Sequence, residues 1–498
     1  MREIINFNNV SYTYPDEEKP ALFEITISVY EGEFLAVMGE NGAGKTSFCK
    51  LINGIIPHHC GSKLSGVVTV DGEITNNISV PGLALKAGIV LDDPDTQLFT
   101  STVRQEAAFG PENLNLPPQE IETRIKWALE TAALTGFEER APITLSGGEK
   151  QRLVIASALA MKGKILILDD PLCRLDPSTA QQVTAVLKEL KNNCGLTVIM
   201  ASHDTVFMRE AADRVCVLNN GRIVSCDTAS KIFCDVSLLE KNGIDPAAEK
   251  IDLENFRVKN IEEESSSALI KNSFGKEIIK IKDFGYSYPR GASIKNISFS
   301  VYENDFLAVS GKNGCGKTTL LKNLTGLLRP CHGDIYIRGR NIKELSVSDI
   351  SKDIGFVMQN PDNQLFADSV FNEVYYVFKN AKLSKNEKKD RVYEALKLAG
   401  LDLQKADSFP HALSRADRTR TVIACILAMN CRIIILDEAD IGQDYKGNCD
   451  IMNLAEELRL KGCTIIFVTH NMSLIKNYAH RLIMMENNGT IELCKINR

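Results

Sequence analysis

Runs of apolar residues alternate with polar, glycine-rich stretches along the chain, and the runs differ in their period. Residues 3–14 and 22–30 alternate polar and apolar positions, which predicts half-buried strands. Short, mostly apolar runs predict buried strands at 34–38, 87–91, 164–168 and 196–200. Apolar residues recur with a helical period over 118–135, which predicts an amphipathic helix. This mixture of strands and helices predicts an α/β fold.

The second half of the chain repeats this order of elements, which indicates a tandem duplication. The equivalent residues include Lys45 and Lys317, Asp169 and Asp437, and His203 and His470. A stretch at 236–277 interrupts the repeat, and its acidic and polar run at 261–267 has no apolar period. We therefore predict a first domain at 1–235, a linker at 236–277 and a second domain at 278–498.

Composition limits the functions that such a chain can have. The 498 residues carry a net charge of −6, which argues against a nucleic-acid partner. No apolar stretch approaches the roughly 18 residues of a membrane-spanning helix. The N-terminus lacks the apolar core of a signal peptide. We expect a soluble protein with more than one domain.

A glycine-rich loop of the pattern G-x-x-x-x-G-K-T occurs once in each half, between an apolar run and a helical segment. Its glycines allow successive backbone N–H groups to point at one anion. The lysine would reach the β- and γ-phosphates of a nucleotide, and the threonine would offer a hydroxyl to Mg²⁺. The predicted ATP-binding residues are Gly39, Glu40, Asn41, Gly42, Ala43, Gly44, Lys45, Thr46 and Ser47, and Gly311, Lys312, Asn313, Gly314, Cys315, Gly316, Lys317, Thr318 and Thr319.

Two further features point to the same chemistry. Ser146, Gly147 and Gly148 begin a helical run, and the free N–H groups at such a helix start offer a second anion site. Two buried runs end in carboxylate pairs, at 169–170 and 437–438. The first carboxylate of such a pair can hold Mg²⁺, and the second can act on water.

Two residue types near the loops leave alternatives open. Tyr14 and Tyr288 precede the glycine-rich loops, where an aromatic ring could stack on adenine or simply close a strand edge. Cys315 lies inside the second loop, either as a small filler or as a redox-sensitive thiol.

Together these residues resemble the ATP-binding-cassette (ABC) ATPases of transporters, and the resemblance covers nearly the whole chain. The matching parts are the two Walker A loops, the Leu-Ser-Gly-Gly signature at 145–148, the Walker B strands, a Q-loop-like segment, the D-loop at Asp176 and the switch histidine. The resemblance implies two tandem P-loop NTPase domains, each with a RecA-like α/β core, an antiparallel β subdomain and an α-helical subdomain. It implies an ATPase that uses ATP and Mg²⁺.

The segments 94–99, 109–113 and 361–366 look like those of energy-coupling-factor (ECF) importer ATPases. That resemblance implies a protein at the cytoplasmic face of the membrane that powers uptake of a vitamin or a transition-metal ion. Its partners would be a membrane coupling subunit and a substrate-binding membrane subunit. Phe99 and Phe366 would contact the coupling subunit or lie buried in the core. An exporter ATPase and a soluble tandem ATPase acting in translation are the alternatives.

The two halves depart differently from the family pattern. In this family, two cassettes pack head to tail, so each ATP lies between the Walker motifs of one cassette and the signature of the other. One composite site, the degenerate site, then contains the residues of the altered segments together with the first switch histidine. Its predicted residues are Asp92, Asp170, His203, Ser414, Arg415 and Ala416. The other site combines the second-half Walker motifs with the intact signature Ser146, Gly147 and Gly148.

The resemblance also assigns roles in the intact site. Glu438 would orient or deprotonate the attacking water, and His470 would contact the γ-phosphate. The metal-binding residues would be Thr318, Gln359 and Asp437, with Thr46 and Asp169 in the degenerate site. Asp170 is one methylene shorter than a glutamate, and Arg415–Ala416 add bulk where the signature has two glycines. We predict that the degenerate site holds ATP while the intact site hydrolyses it.

Overall fold

The computed structural model describes residues 2–15, 17–60, 63–173, 175, 177–246, 261–262, 275–288, 293–486 and 491–496. They divide into two compact units, one mainly from the first half of the chain and one mainly from the second. No helix in these ranges is long and apolar enough to cross a membrane. The D-loop prediction at Asp176 and most of the predicted linker lie outside them.

The first unit contains two sheets. A four-stranded antiparallel sheet has the order Leu22–Tyr30, Glu3–Thr13, Lys63–Val70 and Glu73–Ile74. A six-stranded sheet has the order Arg222–Thr228, Arg214–Asn219, Phe34–Met38, Thr197–Ala201, Ile165–Asp169 and Ala87–Val90. Its last five strands are parallel, and the first is antiparallel to its neighbour.

The first unit also contains α-helices and short 3₁₀ turns. The α-helices are Lys45–Ile52, Ile55–His58, Val80–Ala84, Val103–Asn113, Pro118–Thr131, Gly147–Ala160, Pro177–Cys194, Thr205–Ala211, Ala229–Cys234 and Val236–Lys241. Short 3₁₀ turns lie at Thr75–Asn77, Pro94–Thr96 and Pro142–Thr144. The helix predicted over 118–135 is present and ends at Thr131.

The second unit repeats the arrangement. Its antiparallel sheet has the order Ser293–Tyr302, Glu277–Ser287, His332–Ile337 and Arg340–Asn341. Its larger sheet has the order Ile261–Glu262, Ile491–Ile496, Arg481–Met485, Phe306–Gly311, Thr464–Val468, Ile433–Asp437 and Ile354–Val357. Its α-helices are Lys317–Leu324, Val347–Ile350, Val370–Tyr376, Lys385–Leu398, Arg415–Ala428, Tyr445–Leu460 and Met472–Tyr478, and 3₁₀ turns lie at Ile342–Glu344, Pro361–Asn363, Leu403–Lys405 and Pro410–Ala412.

Each parallel sheet is buried on both faces, because the side chains of a strand point alternately to opposite sides. In the strand Phe34–Met38, Phe34, Ala36 and Met38 pack against the helical side of the unit. Leu35 and Val37 pack against the antiparallel sheet. The strand Phe306–Gly311 divides its side chains in the same way. This double burial accounts for the continuous apolar runs in the sequence.

The first compact unit continues past the predicted domain end at residue 235. The helix Val236–Lys241 places Leu239 in the core of the first unit, and Ile244 follows it there. In the second unit, Ile261–Glu262 pairs with the strand Ile491–Ile496. The sequence predicts both segments as linker, because residues 236–277 interrupt the repeat and include an acidic and polar run with no apolar period.

A buried ion pair in the second unit gives a test of this packing. Arg481 Nη1 lies 2.6 Å from Asp305 Oδ2, and both side chains are almost fully buried. We expect Asp305→Ala to lower the free energy of unfolding by about 3–5 kcal/mol, because it leaves the Arg481 charge buried without its partner. Calorimetry or urea unfolding of the full chain would measure this.

The first unit supplies the matched control. Its equivalent pair, Arg214 and Glu33, lies 2.9 Å apart, and the Arg214 side chain is 26% exposed. Glu33→Ala should therefore cost less than Asp305→Ala, because water reaches the remaining Arg214 charge. Equal losses from the two variants would contradict this account of the buried pair.

Candidate active site

The two glycine-rich loops lie at the carboxyl ends of central parallel strands. A Cβ added to Gly39 would meet the carbonyl oxygen of Leu218 at 2.1 Å, and one added to Gly311 would meet that of Met485 at 2.2 Å. Only glycine therefore fits at the start of each loop. A helix begins at Lys45 in one unit and at Lys317 in the other. Each loop thus leads directly into a helix N-terminus, as a phosphate cradle requires.

The loop lysines are buried and bind carbonyl oxygens of their own loops. Lys45 Nζ lies 2.9 Å from the carbonyl oxygens of both Gly39 and Glu40. Lys317 Nζ lies 2.8 Å from that of Gly311 and 3.2 Å from that of Lys312. Burial lowers the pKa of Lys45. Each ammonium group is thus held in the centre of its loop, where a phosphate would take the place of the carbonyl contacts.

The other loop positions also agree between the two units. Gly42 and Gly314 have φ angles of 79° and 80°, and Gly44 and Gly316 both have 103°. Ala43 and Cys315 occupy the same buried position, each 3% exposed. The Cys315 side chain packs in the apolar core.

In the second unit, four polar groups meet at the carboxyl edge of the sheet. Gln359 Nε2 donates a 2.7 Å hydrogen bond to Glu438 Oε2. Glu438 Oε1 lies 3.5 Å from His470 Nε2 and 4.0 Å from Lys317 Nζ. The structure thus brings together the predicted water-activating carboxylate, the Q-loop amide, the switch histidine and the loop lysine.

Asp437 lies beside this group and offers a place for a cation. It accepts a hydrogen bond from Thr318, while burial and the neighbouring Glu438 raise its pKa to about 7. Among the described residues, Asp437 Oδ1 is buried without a hydrogen-bond partner. A buried carboxylate oxygen of this kind, next to a hydroxyl, suits Mg²⁺, which prefers oxygen ligands.

The first unit places carboxylates where the second has longer or neutral side chains. Asp170 takes the place of Glu438, and Ser202 Oγ donates a 3.1 Å hydrogen bond to Asp170 Oδ1. Asp169 accepts a hydrogen bond from Thr46, as Asp437 does from Thr318. Burial raises the pKa of both Asp169 and Asp170, and Asp92 adds to the rise by its nearby charge. Three carboxylates therefore crowd the place where the second unit has two carboxylates and an amide.

The switch histidines contact the same loop residue in both units. His203 Nε2 lies 3.1 Å from Asn41 Oδ1, and His470 Nε2 lies 3.1 Å from Asn313 Oδ1. Burial, and then the charge of Lys45, lower the pKa of His203 to about 3, so this imidazole is neutral at physiological pH.

The two signature helices begin with different hydrogen bonds. In the first unit, the backbone N–H of Ser146 donates to Glu149 Oε2 at 2.7 Å. In the second, the Ser414 hydroxyl itself donates to Asp417 Oδ2 at 2.8 Å. Within the described residues, the Ser146 hydroxyl can therefore donate a hydrogen bond to another acceptor, whereas the Ser414 hydroxyl already donates to Asp417.

The residues that follow each signature serine also differ. A Cβ on Gly147 would meet open space, so this helix start is accessible. A Cβ on Gly148 would lie 2.1 Å from Thr179 Cγ2, so a side chain at this position would require Thr179 to shift. The second unit has Arg415 and Ala416 in these places, both partly buried. The altered signature therefore presents side chains where the intact one presents backbone.

The predicted adenine-stacking tyrosines lie over the first turn of each loop helix. The Tyr14 hydroxyl is 3.0 Å from Ser47 Oγ, and the Tyr288 hydroxyl is 3.2 Å from Thr319 Oγ1. Both positions agree with either open interpretation, a stacking ring or a strand-edge aromatic, so stacking stays a prediction.

Phe99 and Phe366 are exposed, which rules out the core-packing alternative. Each ring is 66% exposed. Phe99 lies edge-on to Phe109 at 4.7 Å, and Phe366 lies edge-on to Tyr376 at 5.0 Å. Each unit therefore carries one exposed aromatic pair in the same place.

Sequence reasoning placed Asn41 and Asn313 in the loops but missed their contacts with the switch histidines. It also missed the hydrogen bond that Thr469 Oγ1 donates to Asp440 Oδ2 at 2.6 Å. The cap formed by Ser414 and Asp417 could have been found, because Ser-x-x-Asp before an apolar run is a capping pattern. The contact between Thr469 and Asp440 could not, because the two residues lie on different strand ends.

Comparison with known proteins decides the family. The ABC transporter family model matches residues 22–173 and 294–440, one match in each unit. The chain belongs to the ABC transporter family. It contains two tandem ABC cassettes with the P-loop NTPase α/β fold, which confirms the predicted fold class, and it is an ATPase that binds ATP.

Relatives of this ABC transporter ATPase match it along its length. A protein of Caldanaerobacter subterraneus that bears the name ABC transporter ATP-binding protein is 36% identical over 99% of this chain and 91% of its own length. A protein of the same name from Methanosarcina mazei is 35% identical over 98% of this chain and 94% of its own. A solved structure, cbiO1 from Clostridium perfringens, part of the ABC transporter complex cbiONQ, is 31% identical over 48% of this chain and 94% of its own, with a TM-score of 0.44.

Proposed function

We propose that this ABC ATPase powers a membrane importer of the ECF type, for a vitamin or a transition-metal ion. The observation that carries this proposal is the exposed aromatic pair beside the Q-loop of each cassette. A water-exposed aromatic pair is an apolar surface that favours a partner. The proposed partner is a membrane coupling subunit at the cytoplasmic face of the membrane, with a substrate-binding membrane subunit beside it.

The loop behind each aromatic pair is rigid, which suits a docking surface. Buried Glu106 Oε2 accepts hydrogen bonds from the backbone N–H groups of Phe99 (3.2 Å) and Thr100 (2.9 Å). In the second cassette, Glu373 Oε2 binds the backbone N–H groups of Phe366 (2.9 Å) and Ala367 (2.7 Å). Because the backbone is tied down, the rings are held outward and a partner would lose little entropy in ordering them.

A groove lies next to the pair in the first cassette. Its volume is 330 Å³, and its walls include Leu98, Phe99, Phe109, Val154 and Met161. An apolar groove beside exposed rings matches the apolar face of a partner helix. This is the surface that we propose for the coupling subunit.

The proposal also assigns unequal roles to the two ATP sites. As the family resemblance implies, each ATP would lie between the Walker motifs of one cassette and the signature of the other. The site with Lys317, Glu438 and the intact Ser146 signature would hydrolyse ATP. The site with Lys45, Asp170 and the altered Ser414 signature would bind ATP without rapid turnover.

The proposed roles in the hydrolytic site follow from its contacts. Lys317 and the loop N–H groups neutralise the β- and γ-phosphates. Glu438 takes a proton from the attacking water, and His470 binds the γ-phosphate. Thr318, Asp437 and Gln359 would hold Mg²⁺, which supplies charge neutralisation at the phosphate oxygens.

Co-purification from native membranes tests the importer proposal. Tagged protein should recover a membrane coupling protein and a small substrate-binding membrane protein, whose ligand names the cargo. Recovery of a single membrane protein of the exporter class would favour the exporter alternative. Ribosomal proteins, with no membrane protein, would contradict the transport assignment.

The aromatic pairs should be necessary for that recovery. We expect Phe99→Ala with Phe366→Ala to reduce the recovered membrane protein by about tenfold or more, as loss of buried aromatic contacts does. Leu460→Ala is the control, because Leu460 is also exposed (71%) but lies at the end of another helix. Equal recovery of the membrane protein with the double variant and with Leu460→Ala would show that the aromatic pairs are not part of the interface.

A further inference from the structure

Arg415 connects two parts of the second cassette, and the first cassette has Gly147, which has no side chain to form this link, at the equivalent position. Arg415 is the first residue of the signature helix Arg415–Ala428. Its Nη2 donates a 2.7 Å hydrogen bond to the carbonyl oxygen of Gln359, which is 56 residues away in the sequence. Its guanidinium also borders Gly442, where an added Cβ would lie 3.4 Å from Nη1.

Gln359 is the residue whose side chain reaches Glu438. The amide Nε2 lies 2.7 Å from Glu438 Oε2, while the backbone carbonyl receives Arg415. Gln359 lies between the end of the strand Ile354–Val357 and the turn Pro361–Asn363, and it is exposed. Core packing therefore does not hold Gln359 in place. It is held by the hydrogen bonds of its side-chain amide and of its backbone carbonyl oxygen.

A second tie from the signature helix occurs in both cassettes and so does not explain their difference. Arg418 Nη1 lies 2.6 Å from Asp362 Oδ1 in the second cassette. Lys150 Nζ lies 2.6 Å from Asp95 Oδ1 in the first. The Arg415 contact is different, because the first cassette has Gly147 at that position.

The two substitutions occur together. The cassette that has the arginine also has Gln359, whose amide can donate to the catalytic carboxylate. The cassette that has Gly147 has Asp92 in place of the glutamine, and a carboxylate cannot donate to Asp170. The arginine therefore occurs where there is a Q-loop amide to hold in place.

We infer that Arg415 is a positioning residue for ATP hydrolysis in its own cassette, where it fixes the backbone of Gln359 so that the amide stays on Glu438. The inference rests on the proposed hydrolytic role of Glu438. Arg415 departs from the family pattern in the signature of the proposed degenerate site. In its own cassette, the same residue thus supports catalysis at the Walker motifs.

Steady-state kinetics of the full chain test the inference. We expect Arg415→Ala to lower kcat for ATP about tenfold, because displacement of a positioned group by a fraction of an ångström reduces the rate on this scale. KM should stay within about twofold, since the positioning contact of Arg415 is with the Gln359 backbone. Arg415→Lys should recover part of kcat, because an ammonium group can still donate to the Gln359 carbonyl oxygen.

A double-mutant cycle separates positioning from a general structural effect. In the background of Gln359→Ala the amide is absent, so adding Arg415→Ala should cause no further loss of kcat. Arg391→Gly is the control, because Arg391 is an exposed arginine on the neighbouring helix Lys385–Leu398. It should leave kcat unchanged.

Three results would overturn the inference: an unchanged kcat for Arg415→Ala, a lysine variant no better than alanine, or losses that multiply in the double variant. Glu438→Gln tests the proposed function separately. If Glu438→Gln retains turnover, the hydrolytic assignment fails. If Glu438→Gln is inactive and the cycle shows no coupling, only the role of Arg415 fails.

Discussion

Glu438→Gln lowers the steady-state rate of ATP hydrolysis by about 100-fold or more, on the scale of a lost general base. Glutamine keeps the shape of the side chain, and its amide oxygen can accept the hydrogen bond from Gln359, but it cannot accept a proton from water. Phosphate release from purified protein under saturating ATP measures the effect. The variant should still bind ATP, because Lys317 and the loop N–H groups are unchanged.

Asp170→Asn in the first cassette is the matched control for this variant. It makes the same chemical change at the equivalent position, next to Asp169 and Ser202. We expect the rate to stay within about twofold, because the shorter Asp170 side chain is set back from the place of a catalytic carboxylate. A Glu438→Gln protein with half of the original activity, or an Asp170→Asn protein with almost none, would contradict the assignment.

The loop lysines give the second large effect. Lys317→Ala should lower kcat by about 100- to 1,000-fold, as removal of a group that stabilises transition-state charge does. Lys45→Ala should instead raise the ATP concentration required for half-maximal rate, with kcat changed only a few-fold. The two lysines have nearly identical contacts with their loops, so a difference between them would come from the chemistry around each loop.

The two lysine variants should therefore differ in which kinetic constant changes. Paired measurements of kcat and KM for both variants, with ATP binding followed independently, would test this difference. Equal losses of kcat in Lys45→Ala and Lys317→Ala would mean that both cassettes hydrolyse ATP.

Much of the fold was accessible from the sequence because its signals are local. The continuous apolar runs come from strands that are buried on both faces. The first glycine of each loop, Gly39 or Gly311, stands where the carbonyl oxygen of Leu218 or Met485 leaves no space for a side chain. A strict pattern of residue types at short range therefore predicts both the element and its chemistry.

The parts that the sequence did not predict depend on side-chain contacts that the local pattern of residue types does not show. The exposure of Phe99 and Phe366 is set by Glu106 and Glu373, which tie down the loop from the following helix. The helix Val236–Lys241 is held by the burial of Leu239, which is too little apolar surface to give a period. The contact of Arg415 with Gln359 joins residues that no spacing rule relates.

The two departures in the altered signature have different physical consequences. The Ser414 hydroxyl donates its hydrogen bond to Asp417, so this serine is a poorer hydrogen-bond donor to any phosphate. At Arg415, the side chain crosses to the Q-loop of its own cassette. By our proposal, the first change weakens the degenerate site, and the second holds the Q-loop amide on Glu438.

The most direct test of the account follows the fate of the γ-phosphate in each cassette. The wild-type protein is allowed to turn over 8-azido-ATP labelled at either the α- or the γ-phosphate, and is then cross-linked by light and digested. We expect α-label in peptides of both cassettes, with γ-label only on peptides of the first. Loss of the γ-label from both cassettes would show that both hydrolyse ATP and would contradict the division of roles.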